Sequence, residues 1–278
     1  MKLSIITINY NNKEGLERTI KSVIDQTEKP FEYIIVDGGS TDGGVDVIQK
    51  YKEYLAKWVS EPDGGLYQAI NKGTRLASGE YCLYLNSGDT LHSNDVIARV
   101  NALDYTEDFM EGRANTSTVG VSTPPSKYTL GTFLRYRNPY HQACLIKRTM
   151  VMERPYDESY RLAADLAFNV NNLVVNACSY RPLDIIICDY EGGGRSETIE
   201  HQDEIDRVFS VFPSRIMEDY EDSKWLYLFP VKQLQPLLHS LVRSVFLYRC
   251  KLFVKRICGK HITSVEYQEL VDRKKGNV

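Results

Sequence analysis

Four short polar stretches of this 278-residue chain carry side chains that do chemistry, and each follows an apolar, strand-like run. They are Asn9 to Asn12, Asp37 to Asp42, Glu61 to Gly65 and Asn86 to Thr90. Three of them present a carboxylate, at Asp37, Asp63 and Asp89. A carboxylate closing a buried strand can accept hydrogen bonds from a base or a ribose, or ligate a hard dication. Thr7, Asn9 and Tyr10 add a hydroxyl, an amide and a flat aromatic face at the neighbouring strand end, a set that suits a pyrimidine. For Asp37 the other open role is to cap the helix that follows. Gly38 and Gly39 admit a ligand close to the backbone, yet neither GxGxxG nor GxxxxGK[ST] occurs, which argues against a dinucleotide enzyme and a P-loop nucleoside triphosphatase. A diphosphate bound here needs another source of positive charge, and a divalent cation on a carboxylate is the economical one.

The elements that must position these loops alternate. LSIITI (Leu3 to Ile8) is a β-branched run, and Glu14 to Gln26 then places Leu16, Ile20, Val23 and Ile24 on one helical face. YIIVD closes at Asp37 against a turn-forming cluster, followed by a helical pattern through Val45, Val47, Ile48, Tyr51 and Leu55. Lys57 to Ser60 reads as a short third strand, Leu66 to Ala77 as a helix and Glu80 to Leu85 as a fourth strand. Strand–helix alternation through short loops predicts a parallel sheet with right-handed crossovers. Its ligands bind outside the carboxyl ends of the strands, so all four loops face one crevice. Further on, the pattern predicts a short strand and turn in Glu111 to Pro125, a short helix over Leu130 to Tyr136 and a strand over Ala143 to Lys147. A helix over Tyr160 to Asn176 and a strand over Tyr180 to Tyr190 follow, with helical patterns beyond Glu197.

With 42% hydrophobic and 26% charged residues, the composition is that of a folded soluble protein with ample core for an enzyme. The six cysteines lack CxxC spacing and several sit in apolar runs, so they read as reduced core residues. MKLSIITINYNN has no small-residue cleavage site and reads as a first strand, and no run approaches the roughly 20 apolar residues of a membrane span. Both points imply a cytoplasmic location. Between Lys224 and Lys260 lie eight cationic residues and no acid, so a chain of net charge −3 carries −11 elsewhere.

The segments SIITINYN, IIVDGGSTDG, EPDGGLYQAINKG, ASGEYCLYLNSGD, HQACLIKR and AADLAF, in this order, resemble the inverting family 2 glycosyltransferases of the GT-A fold. The resemblance covers roughly the first 195 residues. It implies an α/β GT-A fold: a Rossmann-like, mostly parallel sheet with helices on both faces, plus a helical C-terminal extension. The domains would be 1–197, with a nucleotide-sugar half at 1–100 and an acceptor half at 101–197, and a basic extension at 198–278. The family's metal-binding element, an acid, a spacer and one or two further acids, stands here as Asn86, Ser87, Gly88 and Asp89. The resemblance makes Asp89 the ligand of Mg²⁺ or Mn²⁺, with Asn86 and Ser87 on the sugar or ribose. It places Asp37, Gly39 and Ser40 with Thr7, Asn9 and Tyr10 at the nucleotide, and Asp63, Gly65, Asn71 and Lys72 beneath the diphosphate and sugar. Asp165 is implied as the base that takes the acceptor hydroxyl proton, His141 as a residue near the acceptor side or diphosphate, and Arg195 in EGGGRS as an aid to the leaving diphosphate.

The implied activity is transfer of a sugar, hexosyl or acetamidohexosyl, from a nucleoside diphosphate, by default UDP, to a saccharide or lipid-linked saccharide acceptor in cell-surface polysaccharide synthesis. The cationic segment 224–260 mixes with apolar residues in a way that suits peripheral contact with an anionic inner leaflet, or packing on the catalytic domain or a second copy in a homodimer. Nucleic acid is not an expected partner, because the rest of the surface is acidic and no recognition motif is present. Two competing readings stand: a catalytically silent nucleotide-sugar scaffold, motivated by Asn86 and Gly88, and a nucleotidyltransferase, which the single lysine of Asn9 to Lys13 disfavours.

Overall fold

The computed structural model describes residues 2–29, 31–135, 138–192 and 199–223, the side chains of 221–223 excepted. Arg195 and the basic segment 224–260 therefore lie outside the described residues. The chain divides into two compact units, Met1–Phe212 and Pro213–Val278; the described part of the second is a helix at Ser214–Ser223.

In the first unit, β1 (Leu3–Asn9) is buried along its whole length, as a run of Ile and Leu in a doubly covered parallel sheet must be. It pairs in parallel with β2 (Phe31–Asp37) and β4 (Tyr81–Tyr84), and β2 with β3 (Lys57–Ser60). Helix α1 (Lys13–Ile24) starts at Asn12, whose side chain accepts the Gly15 N–H at 3.1 Å, and buries Leu16, Ile20 and Val23 at helical spacing. These residues pack with Leu3, Ile5, Tyr33 and Ile35, and with Val47 and Ile48 of α2 (Gly44–Lys50). Alternate β1 residues point the other way, toward α3 (Leu66–Leu76). There a Cβ on Gly73 would come within 2.4 Å of Ile6 Cγ2, so glycine sets the helix–sheet approach. Helices cover both faces.

Beyond β4 the sheet is mixed. Its order is β3-β2-β1-β4-β8-β6-β9-β5, with β6 at Phe109–Thr116, β8 at Cys144–Lys147, β9 at Tyr180–Tyr190 and β5 at Thr90–Leu91; the short β7 (Gly120–Val121) pairs with β6. β8 runs antiparallel to β4 and β6, while β6 and β9 are parallel. The loop 86–89 joins β4 in the middle of this order to β5 at its far end, so the sheet curls. α4 (Val96–Asn101), α5 (Leu130–Phe133) and α6 (Arg148–Glu153) complete the second half. The helix expected from Tyr160 starts only at Ala164: α7 spans Ala164–Asn169 and continues as one π-type stretch over Val170–Val175. α8 (Gln202–Phe209) belongs to the first compact unit. Cys82, Cys144, Cys178 and Cys188 are free thiols, three of them buried. Among the described residues, no helix is long and apolar enough to cross a membrane.

Candidate active site

At the carboxyl end of β2, Asp37 is fully buried and its acceptor positions are filled. Oδ1 accepts from Asn9 Nδ2 at 2.7 Å and from the Ser40 hydroxyl at 2.5 Å; Oδ2 accepts from Ser40 N at 2.9 Å, Gly39 N at 3.2 Å and the Ser60 hydroxyl at 2.7 Å. Burial raises this carboxyl, but the Ser40, Ser60 and Asn9 donors outweigh it and hold the group below its ordinary value. Asp37 therefore shapes the glycine turn, and what faces outward is its surroundings. Among the described residues the buried Asn9 Oδ1 has no hydrogen-bond partner. Tyr10 is 66% exposed. A Cβ on Gly38 would lie 3.2 Å from both Tyr10 Cδ2 and Asp63 Oδ2, so the missing side chain brings that ring and that carboxylate together. Asp63 Oδ1 braces the turn by accepting the N–H of Gly65, whose φ of +122° favours glycine.

Two expected residues are placed otherwise. Thr7 is buried, its hydroxyl 3.1 Å from Tyr33 Oη in the core. Asn71 is used up by the backbone of Tyr156: Nδ2 donates to Tyr156 O at 2.8 Å and Oδ1 accepts Tyr156 N at 3.0 Å. Thr7 lies two residues deeper in β1 than Asn9 on the same face, and Asn71 lies on the side of α3 that meets Tyr156. Lys72 reaches back to the Glu61 loop, 2.8 Å from its carboxylate.

The loop after β4 is fastened from α1. The Thr19 hydroxyl accepts Gly88 N at 3.0 Å and donates to Asp89 O at 2.7 Å, and Asn12 Nδ2 donates to Ser87 O at 2.9 Å. Asp89 is 4% exposed; its oxygens accept from Glu191 N and Gln142 Nε2, each at 3.0 Å. Burial pushes this carboxyl up to about 6, with the Glu191 charge adding to the shift and the two donors opposing it. Glu191, just past β9, also lays its carboxylate over Gly88: a Cβ there would be 1.9 Å from Glu191 Oε2, and Arg18 pairs with the same side chain.

Two residues past β4, Asn86 Nδ2 lies 3.0 Å from His141 Nε2, and Asn86 Oδ1 is buried with no partner among the described residues. Burial holds the His141 imidazole below its ordinary value, against the pull of the Asp165 charge, so the ring is neutral near pH 7. Asp165, in the first turn of α7, accepts from Leu166 N at 2.9 Å, Tyr67 Oη at 3.2 Å and Asn138 Nδ2 at 2.9 Å. The turn before it is clamped by Glu204 of α8, which accepts the N–H groups of Arg161, Leu162 and Ala163 at 2.7 to 2.9 Å. Asn86, His141 and Asp165 thus share one side of the strand-end crevice.

The family model for glycosyl transferase family 2 matches residues 4–155. The chain belongs to that family. An uncharacterized glycosyltransferase of Mycobacterium tuberculosis is 34% identical over 200 residues, 69% of this chain and 76% of its own length. A PGL/p-HBAD biosynthesis glycosyltransferase of Mycobacterium bovis is 30% identical over 213 residues, 74% of this chain and 83% of that one. In fold, the chain is similar to TarS 1–349 of S. aureus, solved in complex with UDP-GlcNAc, with a TM-score of 0.60 and 18% identity. That match covers 72% of this chain and 62% of TarS 1–349, so the chain spans less than two thirds of the solved relative.

This family 2 member departs from the acidic strand-end pattern with a physical consequence. Any side chain at position 88 must displace Glu191, and φ is +109° there, so glycine and the Glu191 carboxylate go together. The chemistry of Asp89 fits a hard dication: its buried carboxylate would offer an oxygen ligand, and a cation would relieve the cost that its burial and the Glu191 charge impose. Among the described residues no three His, Cys, Asp or Glu side chains converge on such a site, so an ion would take its remaining ligands from phosphate and water. Sequence reasoning missed Gln142, Glu191, Tyr67, Asn138 and Glu204. Gln142 and Glu191 adjoin residues singled out by motif, a usable signal; Asn138 and Glu204 carry none that is local.

Proposed function

We propose that this family 2 glycosyltransferase inverts configuration, taking a sugar from a UDP donor, N-acetylglucosamine being the probe of choice, to a saccharide or lipid-linked saccharide hydroxyl. One observation carries the reading: Asp165, from a distant helix, is near enough for its charge to act on His141, whose Nε2 lies 3.0 Å from Asn86 Nδ2, and both of its oxygens accept hydrogen bonds. The Tyr10 ring and the orphaned Asn9 carbonyl receive the base and ribose, and Asp63 with the unpartnered Asn86 carbonyl receives hydroxyls of the sugar. Asp165 takes the proton of the acceptor hydroxyl as that oxygen bonds to the anomeric carbon from the side opposite the diphosphate. The neutral His141 beside it leaves the carboxylate without a competing imidazolium.

Asp89 would hold Mg²⁺ or Mn²⁺. When bound, such an ion supplies Lewis-acid neutralisation of the departing diphosphate. The M. bovis relative's name and the UDP-GlcNAc bound to TarS support a glycolipid or polysaccharide setting and a UDP donor. The test is UDP release from UDP-N-acetylglucosamine with Mn²⁺, paired with calorimetry. Asp165→Asn is expected to lose turnover and keep donor affinity, whereas Asp89→Ala loses the Mn²⁺ dependence of binding. Undiminished turnover by Asp165→Asn would end the assignment of the base.

A further inference from the structure

Asp165 is held by a relay of side-chain amides. Its Oδ1 accepts from Leu166 N at 2.9 Å and shares the Tyr67 hydroxyl, which lies closer to the Leu162 carbonyl, 2.7 Å against 3.2 Å. Its Oδ2 accepts from Asn138 Nδ2 at 2.9 Å, and Asn138 Oδ1 accepts in turn from Asn169 Nδ2 at 2.9 Å. An ionised carboxylate only accepts, so Asn138 must turn its NH₂ toward Asp165. That leaves its carbonyl facing Asn169, whose NH₂ fills it. Asn169 is 2% exposed and sits one helical turn beyond Asp165 on α7, so the relay starts from a side chain fixed by packing.

We propose that Asn138 is a positioning residue for Asp165: it fixes the direction of Oδ2, with Asn169 locking Asn138. The inference rests on Asp165 being the base. In the transfer, the acceptor O–H breaks and its proton moves to an Asp165 oxygen. The acceptor oxygen bonds to the anomeric carbon, and the sugar–phosphate bond breaks with its electron pair leaving on UDP. The proton then passes from Asp165 to water.

The test is UDP release from UDP-N-acetylglucosamine by the full chain, with kcat and donor KM measured for the unsubstituted protein and Asn138→Leu. Leucine keeps the size of the side chain and removes the donor. kcat is expected to fall about tenfold with donor KM within about twofold. An unchanged kcat, or a fall in kcat matched by a loss of donor affinity, overturns the proposal. Asn169→Leu, which leaves Asn138 itself intact, is expected to lower kcat by less at the same KM, and keeps the question open to measurement if Asn138→Leu does not fold. Asp165→Asn separates the two layers. Retained turnover there removes the base and the relay together, while an inactive Asp165→Asn beside an unchanged kcat in Asn138→Leu removes the relay alone.

Discussion

Glu111 is a buried carboxylate that the proposed chemistry does not use, and its replacement by glutamine should make the protein more stable in a pH-dependent way. It sits in β6 opposite Cys144 of β8, 4% exposed, and its Oε2 accepts from Tyr180 Oη at 2.7 Å and Tyr128 Oη at 2.9 Å. Burial pushes its carboxyl from 4.5 up to about 7, and the two phenols only partly offset this. The native state therefore holds the proton more tightly than the unfolded chain. Between about pH 4.5 and about pH 7 stability falls as pH rises, and above that window the ionised group costs about 3 kcal/mol. Glu111→Gln keeps a carbonyl oxygen for both phenols and removes the ionisation. Allowing for an NH₂ in place of one oxygen, the expected gain is about 1–3 kcal/mol at pH 8, shrinking toward zero near pH 4.5. Urea unfolding of both proteins at the two pH values measures it. A gain of the same size at both, or a loss at pH 8, would refute the assignment of Glu111 as an uncompensated buried charge.

Three further substitutions read out the architecture. Gly88→Ala should cost about 1–2 kcal/mol: the clash with Glu191 Oε2 is relieved by swinging a flexible side chain, which breaks its pair with Arg18, but the φ of +109° cannot be relieved; an unchanged melting temperature contradicts this. Asn71→Leu strands the Tyr156 N–H and carbonyl and should cost about 2–4 kcal/mol with UDP affinity preserved, so calorimetry that finds affinity lost at full stability would return Asn71 to the ligand site. Gly73→Ala gains about 1 kcal/mol of helix propensity but overpacks Ile6 by about 1–3 kcal/mol, and a variant more stable in urea would show that α3 lifts freely from the sheet.

The first half of the fold is legible because its information is local. Continuous Ile and Leu runs, helical stripes such as Leu16, Ile20 and Val23, and glycine breaks after Asp37 and Glu61 each fall within a dozen residues. The curl of the sheet is not, because β5 is two residues long and is defined only by its pairing with Asp189 and Cys188 of β9. The same holds for the site. Strand-end position places Asp37, Asp63 and Asp89 at or beyond the ends of the parallel strands, but only the side-chain contacts show that Thr7 meets Tyr33 and Asn71 meets Tyr156. Glu204 falls in a stretch that reads as the start of an extension, yet it fastens the turn leading to Asp165, a contact no periodicity encodes. The buried Asn169, in the otherwise apolar run AFNV, is the one local hint of the amide relay.

Asp37 closes β2 and Asp89 follows β4, both strands being parallel partners of β1, and both residues are buried, so strand-end position alone gives no ground for treating them differently. Their surroundings do. Asp37 has five donors on two oxygens, more than burial costs it, so its charge stabilises the free protein and little of it is left for a ligand. Asp89 has two donors and a second carboxylate at its side, so its charge is a cost in the free protein. Positive charge arriving with a substrate complex gains most where the resident negative charge is least compensated. The balance of donors against burial, more than the presence of an acid, is what separates the aspartate whose charge the fold already satisfies from the one whose charge it does not.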